Sequence, residues 1–249
     1  MAGTIDSTGD GGTPRGPLVA IVAAHDEAAR IGATLAALAH AFPSAVLWVA
    51  DDGSRDGTAA LAQAAGARVA RSEHDVGKGG AMTLAARRAL AELPGSADDV
   101  FLLCDGDLGD SAGRLGPLAA AIAADEADLA VAAFARSVGG GFGVALGFGA
   151  WAIRRGCGFR ARAPISGQRA LTRAVLEATL PFASGYGMEV GMTIDAVRAG
   201  ARVCEIELDL AHRATGRTAA GFAHRGRQLV DFARAYARRA RAHHAGPGA

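Results

Sequence analysis

Short apolar runs recur along the first half of the chain, each closed by a polar or glycine-rich turn. They are Leu18–Ala24, Val46–Ala50, Ala67–Ala70, Val100–Cys104 and Leu129–Phe134. Runs this short, apolar at consecutive positions but for Arg68 in the third, fit strands buried on both faces. Between them the spacing predicts helices from His25-Asp26-Glu27 to about Ala41, from Thr58 to about Gly66, from Gly77 to about Leu93, and from Leu115 to Asp125. Acids at 26 and 27 would sit where the dipole of the first helix favours them. Asp110 or Ser111 stands where an N-cap is expected. Strands alternating with helices imply right-handed βαβ units. The expected fold is therefore α/β, a mostly parallel central sheet flanked by helices, in a single domain.

After Phe134 this rhythm breaks. Residues 137–149 are glycine-rich, and Arg154, Arg155, Arg160 and Arg162 follow with Arg136 upstream. Pro164–Leu171 is expected as a strand, Tyr186–Arg198 as a helix, and Ala201–Leu210 as a strand with alternating acids Glu205, Glu207 and Asp209. Phe222–His244 is expected as a basic helix with Leu229, Val230, Phe232, Ala233 and Tyr236 as its apolar stripe and Asp231 as its acid. Residues 1–17, rich in Gly, Thr, Ser, Asp and Pro, are expected as a disordered tail. The domain would span 18–245, with a nucleotide-binding half to about 110 and an acceptor half from 111.

Composition narrows this picture little. Half of the 249 residues are apolar and a fifth charged, which fits a globular chain. A net charge of +1 gives no pull toward nucleic acid. Three widely spaced cysteines suit a reducing compartment better than a disulfide framework. Even the uncharged stretch 137–153 carries six glycines and falls short of the ~18 apolar residues of a membrane span. Cytoplasmic residence is expected.

Candidate chemistry lies at the strand ends. Asp105 and Asp107 flank Gly106 where the Val100 run leaves the sheet, and open α/β sheets bind ligands beyond such ends. Two carboxylates there repel unless a cation sits between them, and hard oxygen donors suit Mg²⁺ or Mn²⁺ with substrate phosphate. Gly77-Lys78-Gly79 offers a lysine and free N–H groups at a helix start, a phosphate-binding chemistry. Asp51-Asp52 closes the second strand.

Taken together, Ala24-His25-Asp26-Glu27, the Asp51–Thr58 block (Asp-Asp-Gly-Ser-x-Asp-Gly-Thr), Gly-Lys-Gly and Asp-x-Asp-Leu resemble, in this order, the donor half of the GT-A (Rossmann-like) glycosyltransferases of family 2. The resemblance implies that Ala24, Glu27, Asp51 and Asp52 hold base and ribose, with Lys78 near the diphosphate. It places Asp105 near ribose or metal and Asp107 on the metal. Gly106 and Tyr186 complete the donor-side set. In the second half, Ser184–Met192 and Leu210-Ala211-His212-Arg213 resemble the retaining glucosyl-3-phosphoglycerate synthases, with looser likeness to polyprenyl-phosphate transferases. That likeness gives Glu189 the donor sugar and His212 the third metal position, provided the preceding strand returns to the same edge.

Two departures stand out. Many relatives have Pro at 24 and Asn at 26. A Gly-Gly-Arg-Val-Thr stretch that binds phosphoglycerate in the synthases is replaced by Gly139-Gly140-Gly141-Phe142-Gly143-Val144, which better suits a lipid phosphate or another partly apolar acceptor. The expected activity is metal-dependent transfer of a sugar from a nucleoside-diphosphate sugar to a small-molecule or lipid-phosphate acceptor, with Asp107 and Glu189 as catalytic candidates. Glu189 is the best base if a hydroxyl is the acceptor. The basic C-terminal helix either packs as a solvated face or rests on the inner membrane surface. A nucleotidyltransferase needs a glycine-rich basic first loop, and a dehydrogenase needs Gly-x-Gly-x-x-Gly after the first strand; the chain has neither. A nucleotide-sugar-binding module without turnover is the non-enzymatic alternative.

Overall fold

A computed structural model describes residues 16–134, 143–185, 187–210, 231 and 233–240. Its centre is a seven-stranded sheet in the order β3-β2-β1-β4-β6-β5-β7. The strands are β1 (Leu18–Ala24), β2 (Val46–Asp51), β3 (Arg68–Arg71), β4 (Val100–Asp105), β5 (Leu129–Phe134), β6 (Arg169–Thr172) and β7 (Val203–Leu208). β1 pairs in parallel with β2 and β4, whereas β6 runs antiparallel to β4 and β5. The chain winds outward from β1 to β3, then returns to place β4 on the other side of β1. That reversal opens a crevice beyond the carboxyl ends of β1 and β4, where open α/β sheets take ligands.

Both faces of the central strands are covered, which is why β1, β2, β4 and β5 read as almost unbroken apolar runs. Alternate residues Leu18, Ala20, Val22, Leu102 and Cys104 pack under α1 (Ile31–Ala41) and α4 (Gly116–Ala123). Val19, Ile21, Phe101 and Leu103 face α3 (Lys78–Glu92), α6 (Arg173–Thr179) and α7 (Gly187–Arg198). The buried side of α3 is mostly alanine (Ala81, Ala85, Ala86, Ala89), so it can lie close to the sheet. The remaining helices are α2 (Thr58–Ala64) and α5 (Gly143–Cys157), the latter packed on Val190 and Ile194 of α7.

Several boundaries differ from expectation. α1 begins at Ile31 rather than at His25, because Asp26 has φ +53 and the loop is tied to the segment after β2. The acids at 26 and 27 therefore lie outside its first turn. Neither Asp110 nor Ser111 caps a helix: Gly109–Leu115 is a 3-10 turn, and Ser111 Oγ donates to the Leu108 carbonyl. Pro164–Gln168 is a loop, so the expected strand is reduced to β6, followed by the unexpected α6, whose N-cap is Thr172. Residues 233–240 are helical, with Ala235 rather than Ala233 buried. This helix packs against α7. Its Arg239 pairs with Asp195, and its Ala235 and Asp231 crowd Gly187, where a Cβ would lie 2.8 Å from Ala235 Cβ. The expected N-terminal tail lies outside the described residues except for 16 and 17, as do 137–142 and most of the C-terminal stretch. No helix among the described residues is long and apolar enough to cross a membrane.

Candidate active site

Two loops form one wall of the crevice, and hydrogen bonds lace them together. The amides of Asp26, Glu27 and Ala28 donate to Ser54 Oγ (3.0 Å), Thr58 Oγ1 (2.8 Å) and Asp56 Oδ2 (3.0 Å). Ala24, buried at the end of β1, accepts from the Asp52 amide at 3.0 Å, and half-buried Glu27 follows it into the loop. Asp51 is fully buried; it accepts from the Ser54 amide (3.0 Å) and lies 3.3 Å from Arg71 Nε. Asp52 Oδ1 accepts from the Val76 amide at 2.8 Å, joining this wall to the turn before α3. Burial raises the Asp52 carboxyl above the usual carboxylate range, and Asp75 adds to the effect. His25 Nδ1 donates to the Asp52 carbonyl at 2.7 Å; that bond, aided by nearby Asp26, Asp75 and Asp52, raises its pKa above the ordinary 6.5.

A second cluster is built around Lys78, the first residue of α3. Its Nζ donates to Asp105 Oδ1 at 2.6 Å and to Glu189 Oε1 at 2.8 Å. Burial works against the ammonium, but Asp105 and then Glu189 outweigh it and hold its pKa well above that of an ordinary lysine. Glu189, in the first turn of α7, is only 4% exposed. So it is an inward-facing partner of Lys78, not a solvated acid. Gln168 Nε2 donates to the second Asp105 oxygen at 2.7 Å. Gly167 is required beside this array, because a Cβ there would lie 2.6 Å from both Asp105 Oδ2 and Lys78 Nζ. The turn carrying Lys78 is pressed on the 183–185 loop, where a Gly79 Cβ would meet the Ala183 carbonyl oxygen at 1.8 Å.

Asp105 and Asp107 have different roles in the geometry. Gly106 between them is buried; its amide donates to the Ala23 carbonyl (2.8 Å) and its carbonyl accepts from Thr34 Oγ1 (2.8 Å). Both Asp105 oxygens take protein donors. The half-buried Asp107 carboxylate makes no hydrogen bond or ion pair with the described residues, which leaves a hard oxygen donor at the strand edge. That donor fits a divalent cation. Among the described residues no group of three or more His, Cys, Asp and Glu side chains gathers as a metal cluster. His212, expected as third ligand, and Tyr186 lie outside the described residues.

Sequence reasoning missed Gln168, Gly167 and Arg169. Arg169 is 1% exposed, its Nε donating to the Ser166 carbonyl (2.8 Å) and its NH1 to Thr193 Oγ1 (2.9 Å). Burial pulls its pKa down to about 10, against the opposing influence of Glu189 and Glu205. A signal was present: Ser166, Gln168 and Arg169 are polar in a run expected as a strand. Arg162, one of the basic residues noted after the glycine-rich stretch, is paired with Glu205 and Glu207.

A mostly parallel sheet with acidic loops at its switch point is an arrangement found in GT-A glycosyltransferases. Residues 19–166 match the family model described as glycosyl transferase family 2, and the chain belongs to that family. Among solved structures it is similar to glucosyl-3-phosphoglycerate synthase from Mycobacterium tuberculosis in complex with phosphoglyceric acid. The identity is 26%, the match covers 90% of this chain and 79% of that one, and the TM-score is 0.72. The same synthase with Mn²⁺, UDP-glucose and phosphoglyceric acid matches at 27% identity over 89% and 80% of the two chains, with a TM-score of 0.70. Its complex with Mg²⁺ and UDP matches at 26% identity over 90% and 79%, with a TM-score of 0.69. Among curated proteins there is no significant match.

Proposed function

We propose that this glycosyltransferase moves a hexose from a UDP-sugar to a phosphorylated acceptor in a divalent-metal-dependent reaction. One observation carries the reading most: Lys78, Asp105 and Glu189 meet within 2.6–2.8 Å beside the switch-point crevice, near an Asp107 carboxylate that no described residue engages. Solved complexes of the similar synthase with UDP-glucose, Mn²⁺ and phosphoglyceric acid or glycerol 3-phosphate support the choice of donor and acceptor class.

In this reading Ala24, Glu27, Asp51 and Asp52 frame the base and ribose. Asp107, with His212, holds the cation, which when bound neutralises charge on the departing diphosphate. Lys78 adds a positioned ammonium on the same side. The bond from sugar C1 to the diphosphate oxygen breaks with its electron pair leaving on that oxygen, and C1 bonds to an acceptor oxygen. An ionised acceptor phosphate brings no proton to remove, so Glu189 serves to orient the sugar and hold Lys78. A hydroxyl acceptor loses its proton in this step, and Glu189 is then the candidate base.

The Gly139–Val144 sequence, lacking the arginine and threonine of the phosphoglycerate stretch, favours a lipid phosphate as a second reading. That version would bring the basic C-terminal stretch to an anionic membrane surface. Incubation with radiolabelled UDP-glucose, Mn²⁺ and either 3-phosphoglycerate or polyprenyl phosphate decides between them. Label in the water-soluble product supports the small acceptor, and label in the organic phase supports the lipid. Label in neither, across a panel of UDP-sugars, overturns the proposal.

A further inference from the structure

Building on the donor-site reading above, we infer that Gln168 and Arg169 are positioning residues that hold the two carboxylates gripping Lys78. The side chains of these neighbours reach different partners. Gln168 reaches Asp105 Oδ2 at 2.7 Å, on the side away from the oxygen that Lys78 occupies. Arg169 lies fully buried against α7, where it donates to Thr193 Oγ1 at 2.9 Å; that hydroxyl in turn donates to the Glu189 carbonyl at 3.0 Å. Its charge also acts on the Glu189 carboxylate at longer range. A buried guanidinium costs several kcal/mol to desolvate, so packing alone does not account for it.

The segment's path is fixed from outside. Glu205 accepts from the Arg162 and Ala163 amides at 2.8–2.9 Å, anchoring the loop that enters β6. Gly167 then lets the backbone pass over the Lys78–Asp105 pair. The arrangement has a chemical consequence. An arriving diphosphate competes for the Lys78 ammonium, and the carboxylates that lose part of that cation stay in place. Gln168 retains Asp105, and Arg169, through Thr193, retains the first turn of α7 that carries Glu189.

Steady-state kinetics on Gln168→Met, which keeps side-chain length and loses the amide, tests this. Expected is a kcat loss of about 10- to 100-fold with the donor KM within about threefold of wild type, a positioning signature. Adding Gln168→Met to Asp105→Asn should cost less than about threefold more, because the two act as one unit. Arg169→Lys, which keeps the buried charge but loses the planar fork, should lower kcat by about 3- to 10-fold. Turnover of Gln168→Met or Arg169→Lys within twofold of wild type would overturn the inference, as would losses that multiply in the double variant. If the wild-type chain transfers no sugar, the donor-site reading fails by itself. Coupling between positions 105 and 168 is then read from melting temperatures: less-than-additive losses support the hydrogen-bonded unit, and additive losses reject it.

Discussion

Replacing Lys78 with Met removes the cation shared by Asp105 and Glu189, and the structure sets the size of the effect. The two charge-assisted hydrogen bonds, at 2.6 and 2.8 Å, are lost together. At about 1.5–3 kcal/mol each, the gross loss is about 3–6 kcal/mol. Two effects reduce it. The side chains of Lys78 and Asp105 are 21% and 25% exposed, so water enters beside the abandoned Asp105 carboxylate. Burying the ammonium was itself costly, and that cost disappears. A net destabilisation of about 2–3 kcal/mol remains, or a melting temperature lower by roughly 4–12 °C for a chain of this size. Thermal unfolding of both proteins at pH 7 is the assay. An unchanged melting temperature would refute the ion triad.

Other consequences follow from close packing and from His25. Gly79→Ala places a Cβ against the Ala183 carbonyl and should cost about 3 kcal/mol, whereas Gly32→Ala, with open space around it in α1, should be neutral or stabilising by up to about 1 kcal/mol. Melting curves that rank the two alanines in the opposite order would show that α3 and the 183–185 loop are not in contact. The His25 imidazole should titrate above 6.5 in an NMR pH series, and Asp26→Asn should lower that midpoint. Because its folded pKa is raised, its contribution to stability is fully present below 6.5 and is lost as pH rises through the folded value. A midpoint at or below 6.5 would contradict the bond to the Asp52 carbonyl.

Local pattern carried much of this architecture. The Val100–Cys104 run had to be a strand covered on both sides, and the acids behind it had to emerge at its carboxyl end. The Asp51–Thr58 block likewise announced a turn rich in side-chain acceptors. What stayed hidden depended on partners distant in the chain. Asp26 leaves helical geometry in a loop held by Ser54 and Arg55, 28 and 29 residues away. Glu189 looks like an ordinary first-turn acid until Lys78, 111 residues earlier, draws it inward. The polar Ser166–Arg169 segment conflicts with a buried strand locally. Its purpose appears only when antiparallel β6 sets it beside β4 and α7. The Asp-x-Asp pair reads as two equal carboxylates in sequence, yet Asp105 is held by Lys78 and Gln168 while no described residue engages the Asp107 carboxylate.

In the proposed mechanism a nucleoside diphosphate is held at the end of β4 through a cation carried by Asp107. Calorimetric titration of UDP into the wild-type chain and Asp107→Ala, each with Mn²⁺ and with EDTA, tests it directly. The wild type should bind UDP at least about 10-fold more tightly with Mn²⁺, and Asp107→Ala should lose that dependence while melting at or above the wild-type temperature. Undiminished Mn²⁺-dependent binding of UDP by Asp107→Ala would contradict it.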